Sequence, residues 1–410
     1  MAKLSDVAAI NPTRKVKKGE FVPFVEMAAL PLSGRDISPS AVETRIAKAS
    51  GAHFQNGDTL LARITPCLEN GKTAQVNMLP EGAIGEGSTE FIVLCGHDSA
   101  DNDFVYYLCR DPEFRNFAIS RMEGTSGRQR VAWQSIANYE FELPPPEVRR
   151  AAAEVLAALD NRIDNLRQSN ATLEAIAAAQ FKSRFVDFDG VPAEDMQELE
   201  FGSIPTGWEL SRLGNECSYL NRGISPKYID KGGVLVLNQK CIRDFAIDTT
   251  RARRHDPAQR SVEGREIQVG DVLVNSTGVG TLGRVAQVLS INEPTIVDSH
   301  VTVVRAGQRL NWTYLGQWFA DKQSEIEAMG EGSTGQTELS RSKLAGMPIV
   351  VPDRKTLADF DAVVAPLKAR IALADSSSRL LTVLRDTLLP KLISGKLRLK
   401  DAERTIGTAI

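Results

Sequence analysis

The 410-residue chain has only five cysteines, at 67, 95, 109, 217 and 241. They form no CxxC pair and stand near no ligand-spaced histidine, which argues against a disulfide framework and a zinc site alike. No apolar run approaches the roughly 20 residues of a membrane span, and "MAKLSDVAAINPTRK" at the start lacks the apolar core of a signal peptide. The sequence therefore predicts a cytoplasmic protein with no membrane partner. An excess of positive charge is also missing: the formal net charge is -3, so no overall field draws the chain to a polyanion, and any such partner must be met by local patches. The remaining composition, 42% hydrophobic and 25% charged, is that of a globular protein long enough for two or three domains.

What is present is a duplication. "GKTAQV" at 71–76 returns as "GRVAQV" at 283–288. Upstream, "FQNGDTLLARITPCLENGKTAQV" (54–76) aligns with "IQVGDVLVNSTGVGTLGRVAQV" (267–288), placing Gly57-Asp58 over Gly270-Asp271. Downstream, "STEFIVL" (88–94) matches "DSHVTVV" (298–304) as alternating strands. From there the offset is constant at 208, with "EGTSGRQRVAWQSIANYEFELPPP" (123–146) over "EGSTGQTELSRSKLAGMPIVVP" (331–352).

Each copy is followed by a long helical pattern. Ala152, Leu156, Leu159, Ile163, Leu166, Asn170, Leu173 and Ala177 keep the alternating three and four spacing of a coiled-coil seam. At the same offset these become Phe360, Val364, Leu367, Ile371, Ala374, Ser378, Leu381 and Arg385, with Asn170 and Ser378 as a polar layer. Two unrelated amphipathic helices in separate cores would explain the stripe but not that layer. Pro366 predicts a start or kink in the second helix, and Arg385 predicts that the seam opens there. Residues 186–210 read as a Gly/Pro-punctuated link. Domains are accordingly expected at 1–146 and 188–352, with helices at 147–187 and 353–410. Two similar halves joined in this way can pack their helices antiparallel about an internal pseudo-two-fold axis.

Motifs for catalysis are lacking. "GVGTLG" (278–283) spells G-x-G-x-x-G but runs into the strand-like "RVAQVLSI" rather than opening a helix, and reads as a connection between strands. "GTSGRQR" (124–130) lacks P-loop spacing, and His53, His97, His255 and His300 stand isolated from any nucleophile or metal partner. "NPTR" (11–14) and "LPPP" (143–146) are not the tetrapeptide of an amino-methyltransferase.

The copies differ at their loop tips, where Arg128, Gln129 and Arg130 are exchanged for Gln336, Thr337 and Glu338. A shared scaffold with different polar tips suits two readers of two base sequences, since base edges are read by such side chains. The candidates for DNA contact are Arg63, Asn70, Lys72, Arg121, Arg128, Gln129 and Arg130 in the first copy. In the second they are Asn238, Gln239, Lys240, Arg243, Arg251, Arg253, Arg254, Asn275, Thr277, Arg284, Gln336 and Thr337. Solvated charged loops with no partner are the plain alternative.

Taken in order and with their duplication, "GTSGRQRVAW" (124–133), "FKSRFVDF" (181–188), "IPTGWELSRLG" (204–214), "GDVLVNSTGVGTLGRVAQV" (270–288), "EGSTGQTEL" (331–339) and "LLPKLISGKLRL" (388–399) resemble the specificity subunit of type I restriction-modification systems. The resemblance implies an α+β fold of two mixed α/β target-recognition domains separated by two long helices packed as an antiparallel coiled coil. It also implies that each domain reads one half of a split double-stranded DNA site. The helices would set the gap and dock two modification (methyltransferase) subunits, with restriction (translocase/nuclease) subunits joining the complex. This chain would bind no cofactor and perform no catalysis, while S-adenosylmethionine, ATP and magnesium would sit on the partners. A helix from Leu156 to Phe185 would span roughly 45 Å, near the ~34–36 Å repeat of the duplex. Two other readings stay open: a scaffold that binds only protein, and a methyltransferase or nuclease with a concealed site.

Overall fold

In the computed structural model, which describes residues 1–125, 127–199, 202–330 and 338–397, the two hexapeptides close the same turn. Gly57 and Gly270 lie at φ +92 and +94, a region that glycine enters freely. The next residue, Asp58 or Asp271, accepts through Oδ2 from the backbone N–H of Gln55 (2.8 Å) or Gln268 (2.7 Å). The last hexapeptide residue then seals the turn, since Val76 N donates to Asp58 O and Val288 N to Asp271 O, both at 2.8 Å.

The chain divides into two compact units. Unit 1 is Met1–Arg167 with the segment from Ser376 onward, and unit 2 is Gln168–Asp375. In unit 1, strands 8–10, 91–96, 59–62 and 73–75 make an antiparallel sheet in that order. Residues 59–62 and 73–75 are buried throughout, because this sheet is covered on both faces. Leu61, Ile92 and Leu94 join one core, while Leu60, Val93 and Ala74 join another, as the two-residue period of a strand requires. The second core is shared with a mixed sheet ordered 42–46, 21–25, 85–87, 52–54.

The first core is covered by helices α1 (Asn102–Arg110) and α2 (Pro112–Ser120). They break at Asp111, which Pro112 excludes from helical geometry. The Asp111 side chain instead caps α2 by accepting from Glu113 N at 2.9 Å. A short α3 (Trp133–Ala137) precedes α4 (Pro146–Phe185), whose first residue is a proline that forfeits no intrahelical hydrogen bond there.

Unit 2 repeats the scheme. Strands 217–222, 301–306, 272–275 and 285–287 form the antiparallel sheet, and 228–229, 253–255, 234–237 and 295–297 form the mixed one. In both mixed sheets one pair runs parallel, 21–25 with 85–87 and 234–237 with 295–297. The helices are α5 (Trp312–Ala328), α6 (Arg341–Ala345) and α7 (Arg354–Ile393). α6 and α7 start 208 residues after α3 and α4, and α4 and α7 each hold 40 residues, about 60 Å.

Several expectations are corrected. α4 begins at Pro146, one residue before the expected 147, so the length reckoned from Leu156 is too short. α7 runs through Pro366 without starting there: Phe360, Val364 and Ile371 are buried on its core face, Pro366 is exposed, and Asp353 caps the start by accepting from Lys355 N (2.9 Å) and Thr356 N (3.0 Å). Arg385 does not open the seam. It is only 4% exposed and donates to Asp160 Oδ1 at 2.5 Å. Asn170 donates to Ile371 O at 3.4 Å in unit 2, and Ser378 is buried in unit 1. The stretch expected as a link contains a hairpin, 196–199 with 202–205, and Trp208, whose ring packs on Phe185 in the core of unit 2. "GVGTLG" connects strands Val272–Asn275 and Val285–Gln287.

Candidate nucleic-acid interface

At one end of each antiparallel sheet three chain segments converge. In unit 1 they are the loop after 59–62, the entry to 91–96, and the segment after α2. Val131 N donates to Arg63 O (2.9 Å), Arg63 N to Glu90 O (3.0 Å) and Thr65 N to Gln129 O (3.0 Å). In unit 2 the same corner forms from residues 276–277, 298–300 and 338–341: Leu339 N donates to Ser276 O and Ser276 N to His300 O, both at 2.8 Å. Buried Val131 and Leu339 anchor the third segment in each case, and the residue before each, Arg130 or Glu338, bridges to the loop at Ile64 or Thr277.

In unit 1 the corner gathers Arg63, Arg128, Gln129 and Arg130, with Asn70 and Lys72 on the loop that Lys72 closes by accepting from Ala62 N. Arg130 is gripped by Glu90, its Nε and Nη2 donating to Oε1 at 2.9 and 2.7 Å. That carboxylate raises the Arg130 pKa above its ordinary value. Lys72 is committed inward, its Nζ donating to Met27 O at 2.7 Å. Arg128 is exposed and its side chain has no hydrogen-bond or ion-pair partner among the described residues. Arg121 lies apart, at the end of α2 over the Phe117 ring, lining an open cleft of about 560 Å³ with Gln134, Asn138 and Tyr139.

In unit 2 the structure brings together Asn238, Gln239, Lys240, Arg251, Thr277 and Arg284. Asn238 accepts from Lys240 N and donates to Arg251 O; Arg251 pairs with Asp248; Thr277 Oγ1 meets His300 Nδ1 at 2.7 Å; Arg284 donates to Gly280 O. Burial alone would raise Asp248, but hydrogen bonds from Thr250 and Arg251 outweigh it and lower its pKa. Asn275 is withdrawn from any duplex: it is wholly buried and donates to Gln239 O at 3.0 Å. Arg253 stacks on Tyr228 and Arg254 pairs with Glu293, both on the mixed sheet, and Arg243 stands beside Asp244. Gln336 and Thr337 lie outside the described residues.

The candidate set omitted Glu90, Arg222, His300, Glu338 and Arg341. Arg222 Nη1 donates to Glu338 Oε1 at 2.5 Å, and Arg341 donates to Asn221 at 2.7 Å. Glu338 stands in the divergent triplet; nothing local marks Arg222, which ends a strand more than a hundred residues earlier.

The helix-facing candidates are distributed over the two units. Leu156, Leu159, Ile163, Leu166 and Leu381 join the core of unit 1, and Val364 and Leu367 join that of unit 2. Ile371, Ala374 and Ser378 are buried, and Leu173 is half-buried. Among the described residues no group of three or more His, Cys, Asp or Glu could hold a metal ion. Among the described residues no helix is long and apolar enough to cross a membrane.

Such a molecule is a duplicated α+β recognition scaffold carrying two 40-residue helices and one loop corner per unit. Residues 1–175 match the family described as type I restriction modification DNA specificity domain. The chain is 24% identical over 327 residues to the type I restriction enzyme MjaIX specificity subunit of Methanocaldococcus jannaschii, covering 74% of this chain and 71% of that one. It is 29% identical over 172 residues to the EcoEI specificity subunit of Escherichia coli, covering 41% and 29% of the two chains. In fold it is similar to the crystal structure of the type I restriction-modification S subunit from M. genitalium, with a TM-score of 0.58 at 14% identity over 95% of both chains. In sequence the chain is thus similar to type I restriction-modification specificity subunits, and in fold to a solved S subunit.

Proposed function

We propose that each unit reads one half of a bipartite double-stranded DNA target through its loop corner, while the paired helices set the gap and dock two modification subunits. The observation that carries this reading is the repeated corner, in which the same backbone hydrogen bonds present different side chains in the two units. Shared scaffold with exchanged polar tips is what two distinct base sequences require.

The helices support the spacer part. Asp160 meets Arg385 in unit 1, while Asn170 meets Ile371 and Glu174 meets Lys368 in unit 2. Within unit 2 the higher position on α4 meets the lower position on α7, which supports an antiparallel pairing. S-adenosylmethionine, ATP and magnesium belong, in this reading, to the modification and restriction subunits that join the chain.

Co-expression with the modification subunit and mapping of methylated adenines on genomic DNA tests the proposal. A split motif with a fixed gap is expected. Replacing Arg128 and Arg130 with alanine should weaken or relax the first half alone, each lost bidentate contact costing about 1–3 kcal/mol. Methylation without a split motif, or equal loss in both halves, would sink it.

A further inference from the structure

The two loop corners carry opposite charge at the same place. Val131 N bonds Arg63 O in unit 1, and Leu339 N bonds Ser276 O in unit 2. The bridges Ile64–Arg130 and Thr277–Glu338 extend the match by one residue, so Arg130 and Glu338 are structural equivalents. Each is also the outer member of an ion pair whose inner member lies at the end of a neighbouring strand, Glu90 just before 91–96 and Arg222 closing 217–222. The Arg130 and Glu90 side chains are 42% and 24% exposed; Glu338 and Arg222 are 59% and 27% exposed.

The inner residues act as buttresses. Glu90 takes the Nε/Nη2 edge of Arg130, and Arg128 O accepts from Nη1 at 3.3 Å. With five N–H groups on a guanidinium, two remain at the Nη end for an outside acceptor. Glu338 uses Oε1 for Arg222, and its Oε2 has no hydrogen-bond partner among the described residues. Arg222 is itself held by Leu339 O at 2.7 Å, which fixes the carboxylate it grips.

We propose that these equivalent positions are specificity-determining residues of opposite hydrogen-bond character: Arg130 selects guanine in the half-site of unit 1, and Glu338 selects cytosine in the half-site of unit 2. An arginine end donates to guanine O6 and N7 together, whereas a carboxylate accepts from cytosine N4. Adenine also offers an amine, but its N7 acceptor beside it repels a carboxylate. This inference rests on the half-site reading proposed above and assigns one letter in each half.

The test uses the chain in its complex with the modification subunit, with methylated motifs mapped genome-wide for the wild type, Arg130→Gln and Glu338→Gln. Arg130→Gln should relax one guanine of the first half by roughly 5- to 150-fold and leave the second half untouched. Glu338→Gln should relax one cytosine of the second half alone. Both side chains are exposed and each change removes one ion pair, so the variants fold and the unaltered half is an internal control. The inference is overturned if either variant keeps the wild-type motif, relaxes a letter other than the one assigned, degrades both halves or abolishes methylation. A wild-type complex that assembles and methylates without a split motif would instead overturn the half-site reading itself, and this assignment with it.

Discussion

Removing the Asp160 carboxylate should destabilise unit 1 out of proportion to the three atoms lost. Asp160 and Arg385 are 3% and 4% exposed, and Asp160 also accepts from the Tyr107 hydroxyl at 2.7 Å. Burial opposes the Arg385 charge, but Asp160 outweighs it and raises the arginine's pKa. In Asp160→Ala the guanidinium keeps only the exposed Asp386 and a 3.4 Å contact to Ser33 O. Leaving a buried charge unpaired costs about 3–5 kcal/mol, and the orphaned Tyr107 hydroxyl adds about 1 kcal/mol. For a unit of this size each kcal/mol lowers Tm by roughly 2–4 °C, so a fall of about 8 °C or more is expected in the unit 1 transition.

Two units can unfold separately, so calorimetry should be paired with hydrogen exchange on peptides from Asn102–Arg110, which report unit 1. The double variant Asp160→Leu with Arg385→Met should recover most of the loss, because replacing a buried pair by apolar groups is often neutral or stabilising. A single-variant cost below about 1 kcal/mol, or a double variant as unstable as the sum of the singles, would refute the reasoning.

Further expectations concern acid, turn and helix. Burial would raise the Asp101 carboxyl, yet hydrogen bonds from Arg149 and Arg150 outweigh it and hold it below its ordinary value. Its contribution is therefore complete above the unfolded carboxyl range near pH ~4 and is lost as pH falls through the depressed folded value; urea midpoints of wild type and Asp101→Asn should converge on acidification, and parallel curves would contradict this. Gly270→Ala would force φ +94 on a side chain whose Cβ lies 2.9 Å from Trp312 Cβ; a loss of about 2 kcal/mol or more in the unit 2 transition is expected, and an unchanged midpoint would count against the turn argument. Pro366→Ala restores a helix N–H at an exposed position of α7 and should stabilise unit 2 by about 1–3 kcal/mol in the same assay; destabilisation would mean that the proline is doing something other than interrupting the helix ladder.

The duplication, the strand periodicity and the two long helices were legible in the sequence because each depends on residues close together along the chain. The 208-residue offset held to the first residue of α4 and α7 for the same reason: their start is written in the local Pro, Asp and apolar spacing. Sheet order was not legible, since nothing local says that 8–10 lies beside 91–96 rather than beside 21–25. Pro366 misled because propensity is a weak force beside the burial of Phe360, Val364 and Ile371 on the same helix. Arg385 misled because its partner Asp160 is 225 positions away, and Asn275 because its burial is decided by the strands paired around it. The acid-gripped arginines at the loop corners belong to this second kind: local sequence supplies the charges, and only the meeting of segments distant along the chain decides which are spent on one another and which face outward.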